Sequence, residues 1–182
     1  MRKIVAGLFI SLDGVVESPI RWRLPYLSGE VSDMMSAGIA HSDAMLLGRR
    51  TYQQFAEFWP TQASDVPMAG YMNNTPKYVV SATLDKVEWQ NSTLIKGNVV
   101  EELARLKQQP GKNIQIPGSP TLVRSLLRDG LIDELALMIH PIVVGSGRRL
   151  FDETAIPMGL KLVESRTFSN GVLSVTYQPA RA

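Results

Sequence analysis

Short apolar runs alternate with amphipathic helical segments along most of this chain, and that alternation is its most restrictive feature. The run at 4–10 is almost continuously apolar and ends before Asp13-Gly14, which is typical of a strand buried on both faces. Further strands are predicted at 44–47, 77–81, 93–95, 113–116 and 134–139, and helices at 28–41, 50–59, 101–109 and 121–128. Strands separated by helices pair in parallel through right-handed crossovers. The pattern therefore predicts an α/β fold with a mostly parallel sheet.

The end of the chain follows a different rule. Two apolar runs, 160–168 and 172–178, flank Ser169-Asn170-Gly171, and Asn-Gly between apolar runs is a strong hairpin signal. A C-terminal antiparallel hairpin makes the predicted sheet mixed. The segments 19–25 and 60–76 are rich in turn-forming residues and are predicted to be loops. Without a linker or repeat, 1–182 is predicted to be a single domain.

Composition excludes several classes of function. A net charge of +2 is too small to indicate nucleic acid or an anionic membrane as a partner. The chain has no cysteine, so disulfides and thiolate metal ligands are excluded. His41 and His140 are its only histidines, and we expect both to be hydrogen-bonded structural residues and no metal site to form. The apolar start runs directly into Asp13 and Glu17, without a cleavage signal. We expect a cytoplasmic protein without a membrane span.

Two glycine turns carry the predicted chemistry. The first, Gly48-Arg49-Arg50-Thr51, joins a buried strand to a helix, whose free N–H groups and positive dipole end suit a phosphate. Arg49 adds a planar charge and Thr51 a hydroxyl. The alternative is an ordinary turn with two solvated arginines.

The second turn, Pro117-Gly118-Ser119-Pro120-Thr121, has the same design. Ligands of open α/β sheets lie outside the carboxyl ends of the strands, so both turns are predicted to face one crevice. The alternative here is a tight turn that needs glycine for its positive φ.

The order and spacing of three motifs resemble those of dihydrofolate reductases. These motifs are Gly48-Arg49-Arg50-Thr51-Tyr52, Val79-Val80-Ser81 and Ile116-Pro117-Gly118-Ser119. Three other stretches resemble the reductase domain of the bifunctional riboflavin-biosynthesis deaminase–reductase, namely 11–14, 130–135 and 141–151. The chain is therefore identified as a stand-alone member of the dihydrofolate reductase superfamily, with the corresponding fold.

The resemblance implies NADPH as the cofactor. It places Arg49 and Ser81 at the adenosine 2′-phosphate, Thr51 at the pyrophosphate, and Arg50 and Thr121 at the same two turns. Gly118 and Ser119 would contact the cofactor backbone, where dihydrofolate reductases have a Gly-Gly pair joined by a cis bond. Ala82 stands where those enzymes often have arginine, which makes dinucleotide binding better supported than a preference for NADPH over NADH.

The residues of the substrate side resemble the family less closely. Dihydrofolate reductases have an acid early in the first long helix, and Glu30 and Asp33 are the candidates here. Glu30 lies at the edge of the apolar side of that helix and is predicted to be catalytic, whereas Asp33 points to water. The alternative is that both are favourable first-turn acids. Trp22 and Tyr26 are predicted to stack on a flat substrate, or else to cover the edge of the core.

The sequence thus predicts an NADPH-dependent oxidoreductase that reduces a small pterin-, pyrimidine- or imine-like substrate. The alternatives are a dinucleotide-binding protein without turnover and a true dihydrofolate or riboflavin-pathway reductase. Against the riboflavin-pathway enzyme, Gly7 and Pro117 stand where that family generally has a lysine and an acid. The resemblance and the apolar C-terminal strands also predict a homodimer, with its contact at 135–139 and 172–177.

Overall fold

One eight-stranded sheet forms the centre of the molecule. The structure is a computed structural model that describes residues 1–152 and 157–180. The strands are β1 (Ile4–Ser11), β2 (Ser42–Gly48), β3 (Lys77–Val80), β4 (Ser92–Ile95), β5 (Asn113–Pro117), β6 (Glu134–His140), β7 (Leu160–Thr167) and β8 (Leu173–Pro179). Their order is β4-β3-β2-β5-β1-β6-β8-β7. The first six of these pair in parallel, and β8 pairs antiparallel with β6 and β7. The predicted mixed sheet with a C-terminal hairpin is confirmed.

The described residues contain six helices, which flank this sheet. They are α1 (Ile20–Arg23), α2 (Gly29–Ala40), α3 (Arg49–Phe58), α4 (Ala69–Asn74), α5 (Val99–Gln108) and α6 (Pro120–Arg128). As predicted, Ser28 caps α2, with its hydroxyl accepting from the N–H of Val31. No helix within the described ranges is long and apolar enough to cross a membrane.

The first face of the sheet carries the main hydrophobic core. Alternate residues of β1, Ile4 to Ile10, pack there against leucines of α5 and α6. Because side chains alternate along a strand, the intervening residues of β1 point to the second face. The near-continuous apolar run seen in the sequence therefore belongs to a central strand that is buried on its first face but only half-buried on its second, at Val5, Gly7 and Phe9. The prediction of a strand buried on both faces is wrong for the second face.

The second face carries two separate hydrophobic clusters rather than one. The β2–β3 cluster contains Met45, Leu47 and Val79 of those strands, packed under α3 and α4. The α2 cluster places Val31 against Phe168 and Val172 of the hairpin region, together with Met residues of α2 and β6. Strands β5 and β1 lie between the parts of the sheet that these clusters cover. A gap in the apolar cover thus runs over the centre of the sheet.

Two segments predicted as loops are partly helical, which corrects the sequence analysis. Residues 20–26 form α1 and a short 3-10 turn, and α4 lies inside the predicted loop 60–76. Tertiary contacts hold α4 in place: Asn73 donates to the carbonyl of Trp59 and accepts from the indole N–H of Trp89. Its sequence, AGYMNN, has low helix propensity, so those contacts and not the local pattern decide its structure.

Lys77, at the start of β3, is fully buried and anchors the same region. Its ammonium donates to the carbonyls of Asn73, Thr75 and Gln90 at 2.7–3.1 Å. It also lies 4.2 Å from the centre of the Trp89 ring, a favourable cation–π distance. The carbonyl dipoles and the aromatic face offset part of the cost of burying the charge, although burial still lowers the pKa of Lys77 to about 8. The contacts tie the end of α4 to the segment before β4.

The hairpin leaves β7 as an edge strand of the sheet. Strand β6, which contains 135–139, is hydrogen-bonded on both sides, to β1 and to β8, so its edges are closed. Val172 and Val175 are buried in the chain itself. The open surface is β7, where Leu162 and Val163 are each 50% exposed.

We predict that Lys77→Met lowers the free energy of unfolding by roughly 2–4 kcal/mol. Three carbonyls would lose their donor, and a buried acceptor without a partner costs about 1–3 kcal/mol. Urea unfolding followed by fluorescence measures the change, with Lys161→Met on exposed β7 as the matched control. A loss below about 0.5 kcal/mol, the usual size of a surface effect, would show that Lys77 contributes nothing to this anchor.

Candidate functional site

Two glycine turns meet at the carboxyl ends of the adjacent strands β2 and β5. The N–H of Gly48, which precedes α3, donates to the hydroxyl of Ser119 at 3.0 Å, and Ser119 precedes α6. Helix α3 packs on the second face of the sheet and α6 on the first, so the chain leaves these neighbouring strands in opposite directions. Such a divergence opens a crevice at the end of the sheet, where ligands of open α/β folds bind. The predicted convergence of the two turns is present.

The second turn has a backbone that only glycine adopts easily. Gly118 has φ +93°, and a Cβ built on it would meet only the methyl group of Thr51, at 3.9 Å. Its N–H donates to the carbonyl of Gly7 on β1 at 3.2 Å. The Gly118–Ser119 bond is trans. Gly118 therefore sits between β1 and the first turn of α3, with open space above its backbone.

The start of α3 offers donors to an anion. The first N–H groups of a helix have no acceptor within it, and they carry the positive end of the helix dipole. Thr51 is half-buried at this end, while Arg49 and Arg50 are exposed. Thr121, in the first turn of α6, is exposed as well. These backbone and side-chain donors are suited to an anionic group.

Arg49 lies beside the loop that follows β3, where the sequence placed Ser81. The guanidinium of Arg49 donates to the hydroxyl of Thr83 at 3.0 Å. Ser81 is buried, and its hydroxyl accepts from the N–H groups of Thr83 and Leu84. Ser81 thus shapes the loop, and the exposed hydroxyl next to Arg49 is that of Thr83. Sequence reasoning missed Thr83, although its position two residues after the Val-Val-Ser motif offered a signal.

Trp22 and Tyr26 pack around His140 instead of standing free for a ligand. Both rings contact the imidazole edge to face, with centroids at 5.3 and 5.6 Å, and Phe9 contacts it at 5.9 Å. The indole N–H of Trp22 donates to the carbonyl of Glu17, and Trp22 is buried. Burial lowers the pKa of His140, which keeps the ring neutral at pH 7. The geometry matches the alternative that these aromatic residues close the core edge.

The two histidines have the hydrogen bonds expected of structural residues. The Nδ1 atom of His140 lies 2.9 Å from the carbonyl of Met138, and that of His41 lies 2.7 Å from the carbonyl of Ala37. Within the described part of the chain, no three His, Asp or Glu side chains are grouped closely enough to hold a metal ion.

Arg23, which the sequence offered with Arg21 as a possible partner of Glu30 at the substrate side, is a candidate binding residue. Its guanidinium carbon lies 4.3 Å from the centre of the Phe9 ring. Its Nη1 atom is buried and has no hydrogen-bond acceptor among the described residues. A guanidinium has five N–H donors, and Arg23 has no carboxylate partner in residues 1–152 and 157–180. It is therefore suited to an acceptor group supplied by a ligand.

Glu30 is hydrogen-bonded to the hairpin turn and not to residues of the crevice. Its carboxylate accepts from both the N–H and the hydroxyl of Ser169, at 2.9 and 2.5 Å. These bonds lower the pKa of Glu30, whereas a proton donor at neutral pH needs a raised pKa. The contacts match the structural alternative, in which Glu30 fixes α2 to the hairpin. Asp33 is exposed, as expected.

Asp13 joins two of the three stretches that resembled the riboflavin-pathway reductase domain, 11–14 and 141–151. Its carboxylate accepts from the hydroxyl of Ser11 at 2.6 Å and from the N–H groups of Val144 and Gly145 at 3.0 and 2.9 Å. These bonds lower its pKa to about 2, with the Ser11 bond the largest cause. The loop after β6 is thereby clamped onto the end of β1, beside the crevice.

Comparison with known proteins agrees with this geometry. The model of the RibD C-terminal domain family matches residues 2–174. The uncharacterized protein YyaP of Bacillus subtilis (strain 168) is 30% identical over 97% of this chain and 94% of its own length.

Two solved structures illustrate the fold. A putative riboflavin biosynthesis protein from Shewanella sp. PV-4 is 24% identical and superposes with a TM-score of 0.77, over 98% of this chain and 99% of that one. A dihydrofolate reductase from Enterococcus faecalis, complexed with NADP(H), is 15% identical and has a TM-score of 0.63, over 98% and 97% of the two chains. The fold is therefore dihydrofolate-reductase-like.

We predict that Asp13→Asn lowers stability near pH 6 and flattens its dependence on pH in acid. A carboxyl whose folded pKa is depressed stabilises the fold above the unfolded value of 3.8, and this contribution is lost as the pH falls toward 2. Urea midpoints between about pH 6 and pH 2 measure both effects, with Asp33→Asn on exposed α2 as the control. Parallel acid profiles for wild type and Asp13→Asn would contradict the assignment.

Proposed function

Because the chain belongs to the RibD C-terminal domain family, we propose that it is a reductase that binds NADPH and passes a hydride to a small unsaturated organic compound. The single observation that carries this proposal is the hydrogen bond from Gly48 to Ser119, which brings two phosphate-binding turns to one crevice. The solved dihydrofolate reductase complexed with NADP(H) has the same fold, which supports a dinucleotide as the ligand. One domain, comprising 1–182, performs the function in this proposal.

Each turn has a distinct part in holding the cofactor. The N-terminal N–H groups of α3 and the hydroxyl of Thr51 bind the pyrophosphate. Arg49, with Arg50 beside it and the Thr83 hydroxyl at 3.0 Å, binds the adenosine 2′-phosphate. Ser81 holds the loop that presents Thr83.

The second turn lies along the cofactor backbone, through Gly118, Ser119 and Thr121. When bound, NADPH supplies the hydride, and the protein contributes binding, orientation and exclusion of water.

The substrate side of the proposed site is the gap over the centre of the sheet. Trp22 and Tyr26 border it, packed against His140, which in turn contacts Phe9 of β1. Arg23 presents an unpaired donor above Phe9. A small planar acceptor of the pterin, pyrimidine or imine type fits these residues by its chemistry. Glu30 orients the hairpin in this arrangement and donates no proton.

A dinucleotide-binding protein without turnover is the second candidate. Its support is the state of Glu30, the acid predicted to be catalytic, which is ionised and held by Ser169. A purified sample incubated with NADPH and a panel of pterins, pyrimidines, imines and quinones separates the two candidates. Loss of absorbance by the reduced nicotinamide identifies an enzyme, and binding without such loss identifies a binder.

A cytoplasmic location goes with this proposal, since the reduced dinucleotide and its small-molecule substrate are available there.

We predict that NADPH raises the melting temperature. A ligand that binds only the folded state stabilises it by about 2.7 kcal/mol at one hundred times its dissociation constant. Differential scanning fluorimetry with increasing NADPH, and with adenosine as the control that lacks phosphate, measures the shift. An unchanged melting temperature at millimolar NADPH would overturn the proposed function.

We predict that Arg49→Ala weakens NADPH roughly ten- to hundredfold and NADH by less than about threefold. The loss corresponds to one charge-assisted hydrogen bond of about 1.5–3 kcal/mol, which only the 2′-phosphate can accept. Titration calorimetry with both cofactors gives the ratio, and Arg128→Ala at the far end of α6 is the control. Equal losses of affinity for the two cofactors would show that Arg49 does not bind the 2′-phosphate.

We also propose a homodimer, and we predict that its contact is β7 instead of β6. Strand β7 is an open edge and exposes Leu162 and Val163, which an aqueous monomer would leave uncovered. Light scattering at micromolar concentration should give a dimer, and Val163→Lys should convert it to a monomer. A wild-type monomer, or a dimer indifferent to Val163→Lys, would refute this contact.

A further inference from the structure

Gln115 of β5 occupies a position between the two hydrophobic clusters of the second face. Its neighbours Ile114 and Ile116 point to the core on the first face, so its own side chain points to the second. There it reaches across to β1: a Cβ built on Gly7 would collide with its Nε2 atom. The carboxamide therefore lies over the bare backbone of Gly7, in space that any other residue at position 7 would fill.

The carboxamide has unused hydrogen-bonding capacity in this position. Its Oε1 atom lies 3.4 Å from the hydroxyl of Ser42, but that hydroxyl has one hydrogen and stands nearer the carbonyl of Gly38, at 3.0 Å. No acceptor for Nε2 is present among the described residues. Since Gln115 is only half-buried, both ends of the amide remain available to a ligand.

Gly7 is also bonded directly to the second glycine turn. Its carbonyl accepts from the N–H of Gly118, so Gly7 contacts both the Gln115 carboxamide and the proposed cofactor turn. A molecule that is reduced there must lie within reach of the cofactor, which makes the space over Gly7 the place for its reacting ring.

We propose that Gln115 is the specificity-determining residue of the substrate site and that it recognises a cyclic amide. A primary carboxamide offers one N–H and one carbonyl side by side, and a ring with adjacent N–H and C=O groups presents the complementary pair. Two parallel hydrogen bonds then fix the orientation of the ring over Gly7. Quinones and simple imines satisfy at most one of them. The inference rests on the proposed function, because it assigns the substrate class of that site.

Three planar probes of similar size test this pairing. Quinazolinone has both the N–H and the C=O, N-methylquinazolinone lacks the N–H, and quinazoline lacks both. Titration calorimetry with the whole chain, with and without saturating NADP⁺, gives their dissociation constants. We expect quinazolinone to bind at least about tenfold tighter than either other probe, since one unmade hydrogen bond in a partly desolvated site costs about a factor of ten.

Variants then assign the preference to the residue. Gln115→Leu keeps the volume and should reduce the preference to less than about threefold, whereas Gln108→Leu on exposed α5 should leave it unchanged. Gly7→Ala should have the same effect as Gln115→Leu, because the new Cβ displaces the carboxamide. The Gly7→Ala variant keeps the inference testable if Gln115→Leu does not fold.

The outcome is decisive in each case. A wild type that does not prefer quinazolinone, or that binds none of the probes, overturns the inference, and so does a preference that survives in Gln115→Leu and Gly7→Ala. These results are separate from NADPH binding: a protein that melts higher with NADPH and ignores the lactam keeps its proposed function and loses only this substrate class.

Discussion

The hydrogen bond between the Gly48 N–H and the Ser119 hydroxyl joins residues that are 71 positions apart in the sequence. It forms only if β2 and β5 lie side by side and end at the same level, which the parallel register between them provides. The crevice, the convergence of α3 and α6, and the position of Gly118 against β1 all depend on that pairing. The position of such a site is set by the order and pairing of the strands, and the side chains then determine what it can bind.

The sequence allowed most of the fold and half of the site to be predicted, for identifiable reasons. Strands and long helices have periodic patterns, and Gly48 and Gly118 follow apolar runs, so both turns could be recognised. Helix α4 was missed because its stability comes from contacts made by Asn73 and Lys77 with segments distant in the chain. The partner of Glu30 lies 139 residues away, and nothing in the sequence near Glu30 indicates it.

The charged residues near the crevice and the charged residues that hold loops in place differ in their partners. Asp13 and Glu30 are acceptors for backbone N–H groups and hold loops in place. Arg23 and Arg49, in contrast, have no carboxylate partner in the described part of the chain. Arg49 lies at the N-terminus of α3, where an unpaired cation adds to the positive potential that attracts anionic ligands. Asp13 and Glu30 thus have structural partners, whereas Arg23 and Arg49 are, among the described residues, charged side chains left without one of opposite sign.

The central place of β1 also governs how the chain reaches its fold. This strand is made first, yet its neighbours are β5 and β6, which begin at Asn113 and Glu134. During synthesis it therefore has no partner until more than half of the chain has emerged, and both of its apolar surfaces stay open. Contacts between distant segments slow folding and prolong exposure to aggregation. Among the eight strands of the sheet, β1 waits longest for its first neighbour, so its apolar side chains are exposed on the nascent chain for longest.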